Sequence, residues 1–129
     1  MLSTVFYVPI LVLLIHYAQC SATPPRIHLV RDGKPVVEAH VYVYELIDGH
    51  VHETTKMITN HHGSFPVDFL HHERKFEFKI YDRCGKIEHK CNNACYQVAI
   101  QSEDLEFNSH RVATIDIEDE RFDRATVCI

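Results

Sequence analysis

The sequence predicts an all-β fold, a seven-stranded β-sandwich tied by disulfides. Three observations carry that prediction: strict two-residue alternation of apolar and polar side chains, turn residues at short intervals, and cysteines grouped toward the carboxyl end. The clearest alternation is Lys75-Phe76-Glu77-Phe78-Lys79-Ile80, with Phe76, Phe78 and Ile80 on one face and charges on the other. That period marks a half-buried strand. Val112 to Glu118 repeats it, with Ala113, Ile115 and Ile117 against Thr114, Asp116 and Glu118. Tyr96 to Ile100 and His40 to Glu45 alternate too, the latter through Val41, Tyr42, Val43 and Tyr44, all strong strand formers. Ile27 to Val30, His52 to Thr59 and Ser64 to Leu70 complete the seven strands. Between them stand Asp32-Gly33-Lys34-Pro35, Asp48-Gly49 and Asn60-His61-His62-Gly63, each offering residues that tolerate positive φ. Short strands with turns at regular spacing describe a sandwich.

The chain has 129 residues, enough for one domain. Apolar residues make up 46% and charged residues 24%, which argues against disorder. A formal net charge of −5, with Lys and Arg scattered among acids, leaves no basic patch to displace counterions from phosphates. Nucleic acid is set aside as a partner.

Residues 1–22 read as a cleaved signal peptide and 23–129 as the folded domain. Val5 to Ile15 is an apolar run broken only by Pro9, followed by small residues at Ala18-Gln19-Cys20 and Cys20-Ser21-Ala22. The run is too short for a transmembrane helix, which needs about 20 apolar residues. The expected destination is therefore secreted and extracellular, with cell-surface association open, and no transmembrane segment remains after cleavage.

Secretion decides how the cysteines read. Cys84, Cys91, Cys95 and Cys128 form an even set in an oxidising compartment, which favours disulfides. Cys91 and Cys95 are separated by three residues with no second pair of that spacing, so a thiolate metal site is the weaker reading. Geometry ranks Cys84–Cys91 with Cys95–Cys128 first, because Lys86 to Lys90 offers a return loop. The crossed pairing, Cys84–Cys95 with Cys91–Cys128, stays open behind it. Cys91–Cys95 comes last: an extended chain would hold those Cα atoms about 13 Å apart, and a bridge needs less than about 7 Å.

Four segments in order resemble the nematode transthyretin-like family. Gly33-Lys34-Pro35, followed by the strand ending Val43-Tyr44-Glu45, is similar to the family's opening. Thr59-Asn60-His61-His62-Gly63-Ser64-Phe65 resembles its T-D-x-x-G-x-F turn, with Asn for Asp. Phe78 to Cys84 resembles the strand that ends in cysteine, with Asp82 where the family has His, and Ala113 to Glu118 resembles the final strand. Arg31 stands where the family commonly has a cysteine, and Cys95 is an addition. The resemblance implies a prealbumin-like sandwich, extracellular, with no common ligand. It implies a non-enzymatic binding module whose partner is an extracellular protein, a lipid or a small apolar ligand, of unknown oligomeric state.

Two alternatives stay in view. The related 5-hydroxyisourate hydrolases need clustered His and Arg and a C-terminal Tyr-Arg-Gly-Ser, whereas this chain ends Arg124-Ala125-Thr126-Val127-Cys128-Ile129. No G-x-S-x-G or H-E-x-x-H occurs either, so no catalytic residue is expected. Histidine is the sharper alternative, because ten of the eleven lie outside the leader. His50, His52, His71 and His72 fall in turns expected at one end of the sandwich, where imidazoles could take zinc or copper. Against that stands the plainer reading of solvated loops. The Tyr42 and Tyr44 face is expected to pair across one sheet, and Glu118 to Arg124 to form a solvated segment leading to Cys128. No cofactor is otherwise implied.

Amino-terminal sequencing of the secreted protein should find a new terminus between Gln19 and Thr23. An intact Met1 would show that the leader is not a signal peptide.

Overall fold

Alternation carries the fold. Within β6 (Lys75–Ile87) the side chains of Phe76, Phe78 and Ile80 are buried to 2% exposure or less, as the period-two pattern demands. The computed structural model describes residues 23–87 and 91–128, with backbone alone for 85–87 and 91–93. Residues 1–22, expected to be a signal peptide, therefore lie outside the described residues. The other strands, in order, are β1 (Arg26–Arg31), β2 (Lys34–Pro35), β3 (His40–Ile47), β4 (His50–Ile58), β5 (Ser64–Pro66), β7 (Cys91–Gln101), β8 (Val112–Asp116) and β9 (Asp123–Cys128). The only helical piece among the described residues is one 3₁₀ turn, Ser102–Asp104.

Two sheets face each other. One is ordered β4-β3-β6-β7-β9, antiparallel throughout. In the other, β8 runs parallel along β1 from Arg26 to Val30, while β2 and β5 pair with β1 over separate stretches. Between the sheets lie Ile27 and Leu29 of β1, Val41 and Val43 of β3, Val98 and Ile100 of β7, and Ala113 and Ile115 of β8. Phe65 packs on Phe78 at 5.9 Å between ring centroids, joining the two layers. The structure is thus all-β, as the sequence predicts, with every one of the seven expected strands present.

Two further strands raise the count to nine among the described residues. β2 is a two-residue return after the Asp32-Gly33 turn, where both residues hold positive φ, 51° and 74°. β9 is a correction to the expected solvated tail. Phe122 is buried, and residues 123–128 then add to the open edge of β7 from Ala99↔Asp123 to Ala94↔Cys128. The mixed charges hid it, because β9 is nearly all exposed and carries no apolar period.

The disulfide ranking is also corrected. Cys84 is bonded to Cys95, with Cα atoms 4.0 Å apart, so the first-ranked pairs Cys84–Cys91 and Cys95–Cys128 do not form. The reason is hairpin length. β6 does not turn back after Cys84 but continues to Ile87, which pairs with Cys91, and this sets Cys84 against Cys95. Cys128 is disulfide-bonded as well. The Cys91 side chain lies outside the described part.

One crossing between the sheets is held by polar groups. Thr59 is buried, its hydroxyl donating to Val36 O at 2.7 Å and accepting from Ala39 N at 2.9 Å. Asn60 Oδ1 then accepts from the backbone N–H of His62 and Ser64, closing the turn. At its end Gly63 has φ +73°, and a Cβ there would lie 2.7 Å from Leu29 O and 2.8 Å from Val36 N. Those two atoms are hydrogen-bonded to each other.

Gly63→Ala should therefore destabilise the fold by about 2–4 kcal/mol in urea unfolding. Gly33, at φ +74° with nothing within 4 Å, is the control: its alanine bears only the conformational term, about 1–2 kcal/mol. Equal losses at the two positions would show that close approach at Gly63 does not matter.

Candidate functional site

The inner face of the sandwich does not end in apolar side chains. Alternation continues past the core and places a charge at each end of its rows. At one end Glu45, next inward after Val41 and Val43, is buried. The guanidinium of Arg74 grips it with two hydrogen bonds, Nε to Oε1 and Nη2 to Oε2, each 2.5 Å. This fork neutralises the buried charge, and beside it lies a hollow of about 280 Å³ lined by Thr55, Met57, Phe69, Arg74 and Phe76.

At the other end, Arg31 follows Ile27 and Leu29 inward on β1, and Asp82 follows Phe78 and Ile80 inward on β6. Their side chains form an ion pair between the two sheets, both largely buried. Arg31 Nε also lies 3.6 Å from Glu118. Burial, then the charge of Arg83, lowers the Arg31 pKa, while Glu118 and Asp32 act in the opposite direction. This end holds the larger opening of the two. A cleft of about 430 Å³ enters between the sheets, with Val98 and Ile117 as its apolar floor. Tyr96, 47% exposed although its register is that of the inner face, forms one wall. Arg83 stands at the rim, as does Arg124, whose guanidinium donates to the Glu118 carbonyl. The cleft is within the range of small-molecule sites.

Cysteine chemistry positions the rim. Arg83 precedes Cys84 and Tyr96 follows Cys95, so the Cys84–Cys95 bond ties the two residues that flank the mouth. Sequence reasoning missed the cleft, because Arg31, Asp82, Tyr96 and Arg124 are scattered along the chain. The available signal was the parity of Arg31 and Asp82 with the core rows.

A second hollow, about 550 Å³, lies over the outer side of β1 and β5 and is lined by Arg26, His28, Asn60, His62, Ser64 and Val112. His28 and Ser64 are directly paired residues, with Nδ1 and Oγ 3.2 Å apart.

The four histidines proposed as metal ligands are found as two pairs. His50 and His52 are on β4, opposite Ile47 and Glu45, and His71 and His72 precede β6 with stacked rings at 4.7 Å. His71 Nδ1 accepts from Glu73 N, and His72 Nε2 lies 3.7 Å from the Glu73 carboxylate. Among the described residues, no group of three or more His, Cys, Asp or Glu side chains is placed to hold a metal ion. The tyrosine face pairs within its sheet, Tyr42 meeting Tyr81 edge-on at 5.0 Å. No helix among the described residues is long and apolar enough to cross a membrane. Neither the protein-family models nor the curated proteins contain a match to this chain.

Glu45 generates a pH prediction. Its carboxyl is held below its ordinary value by the hydrogen bonds from Arg74, against an opposing push from desolvation. The folded state therefore keeps this charge to lower pH than the unfolded chain does. The stabilisation is complete above the ordinary carboxylate range, about 4–4.5, and is lost as pH falls through the lower folded value. Glu45→Gln should melt below wild type at neutral pH, and the gap should close in acid. A gap that stays constant down to about pH 2 would contradict the assignment.

Proposed function

We propose that this chain is a secreted, non-enzymatic binding module of transthyretin-like type, and that it binds at the open end of its sandwich. The observation that carries the reading is the contrast between the two ends. One inner-face charge is neutralised by an Arg fork beside a hollow of about 280 Å³, and the other borders a larger cleft, about 430 Å³, with an apolar floor and an ionic rim. In that cleft Asp82 is engaged by Arg31, and Arg31 also faces Glu118, so neither carboxylate is placed as a free general base. Two facing sheets and a cysteine bridge support the prealbumin-like reading, as does the Asn60 to Gly63 turn, where Asn60 accepts the backbone bonds expected of an aspartate. The apolar leader supports secretion, and the even cysteine set agrees with an oxidising compartment.

One observation favours a second reading. Arg26, His28 and His62 share the hollow over β1, and a hydrolase of the 5-hydroxyisourate type needs His and Arg together. The plainer account is that His28 satisfies the buried Ser64 hydroxyl as its cross-strand partner. Turnover of 5-hydroxyisourate that disappears in His28→Ala would decide for the enzyme.

The binding reading is tested by filling the cleft. Thr126 lines it from the edge strand β9, so Thr126→Trp should block entry while leaving the core intact. Native mass spectrometry after incubation with extracellular fluid should show a component retained by wild type and not by the variant. No retention by either protein, or equal retention by both, would overturn the reading.

A further inference from the structure

We infer that the cleft takes an amphipathic carboxylate, a single organic anion on an apolar body, with Arg83 and Arg124 as the groups that receive the charge. The inference rests on the binding reading above and names its ligand class. It begins with an outlier. Asp82 pairs with Tyr96 and Gly85 with Ala94, so Arg83 and Cys84 on β6 stand against Cys95 alone on β7. This is a bulge with one extra residue. Its first residue, Arg83, has φ +50°. Glycine takes that left-handed conformation without steric cost, whereas a side chain bears about 1–2 kcal/mol there. A bulge re-aims side chains, and here it stands at the mouth of the cleft.

Charge sets the ligand's sign. Three guanidinium groups, Arg31, Arg83 and Arg124, line the cleft against two carboxylates, Asp82 and Glu118. Arg31 is engaged with both acids. Arg124 reaches only a backbone carbonyl, and Arg83 makes no ion pair with any described residue. Two cationic heads thus remain at the rim of a cavity that one wall and the floor make apolar. A carboxylate satisfies the heads by charge-assisted hydrogen bonds, and an alkyl or aryl body covers Val98, Ile117 and the Tyr96 ring.

Arg83→Gly separates fold from function, because glycine removes the charge and relieves the backbone together. Arg111→Gly is the matched control: Arg111 also has positive φ, 61°, and does not line the cleft. Titration calorimetry would use decanoate as the anion and decanol as its neutral counterpart. Wild type should bind decanoate at least tenfold more tightly than decanol, and Arg83→Gly should weaken decanoate about tenfold, the worth of one hydrogen bond to a charged group. Thermal unfolding should show Arg83→Gly no less stable than wild type, and Arg111→Gly should keep wild-type affinity. Equal affinity for decanoate and decanol, or equal loss in the two glycine variants, overturns the anion site. Either result leaves standing a Thr126→Trp-sensitive capture of some other component, so the two readings fail separately.

Discussion

A single hydroxyl ties together the two segments that cross between the sheets. Thr59 lies where the chain leaves one sheet for the other, beside the segment from Val36 to Ala39 that makes the same crossing in the opposite sense. Its Oγ1 bonds Val36 O and Ala39 N, and its own backbone bonds Ala39 O and, through Thr59 O, Glu38 N. Away from water an unpaired carbonyl or amide costs about 1–3 kcal/mol, so the crossing is stable only with all of these bonds made. The turn that follows brings Gly63 against Leu29 and Val36, which fixes β5 beside β1. That contact acts together with the core packed between the sheets, where Phe65 meets Phe78.

Width alone does not make a cleft. Alternation along a strand has no means of stopping where the core stops, so the next inward position must carry something. At Glu45 that position meets Arg74, which also lies over the Phe76 ring at 5.4 Å, so the charge is neutralised and the stem narrows the gap to a smaller hollow. At Arg31 and Asp82 the partners come from opposite sheets and bridge the gap without filling it. The strand β9 then extends the wall with Arg124 and Thr126, whose register with Val98 and Tyr96 puts them on the inner side. The open end is therefore a product of the same rule that builds the core, with a different closing residue.

How much of this was legible follows from how local each signal is. Phe76, Phe78, Ile80, Ala113, Ile115 and Ile117 were readable because period-two burial is written in consecutive residues, and all six are buried. The Asp-Gly turns were readable for the same reason. β9 was not, since an edge strand with exposed side chains looks like solvated chain, and its affinity for β7 resides in backbone groups that every residue has. The Cys84–Cys95 bond is hard to read because Cys91 stands nearer to Cys84 in the chain, while partner choice depends on hairpin register. The cleft was least legible, being assembled from β1, β6, β7, β9 and the turn after β8. The histidine pairs were prominent in sequence, yet His71 and His72 engage each other and Glu73, and no metal-holding group forms among the described residues.

Strain and covalent constraint meet at one place in this molecule, and that coincidence gives the proposed site its physical basis. Left-handed residues at Asp32 and Asp48 are paid for by tight turns, where asparagine, aspartate and glycine adopt that conformation most readily. Arg83 has no such excuse in its side chain. It keeps its conformation because the next residue is bonded to Cys95 and the strands on both sides remain paired. A flexible arginine at a cleft mouth would lose much rotamer and backbone freedom on meeting a ligand, a loss that weakens binding. Holding the backbone in advance removes the larger share of that loss from the binding step and places it in folding, where the rest of the sandwich sustains it. On the proposed reading, the bulge is thus preorganisation: the fold bears about 1–2 kcal/mol at Arg83 so that a charge stands at the mouth before any ligand arrives.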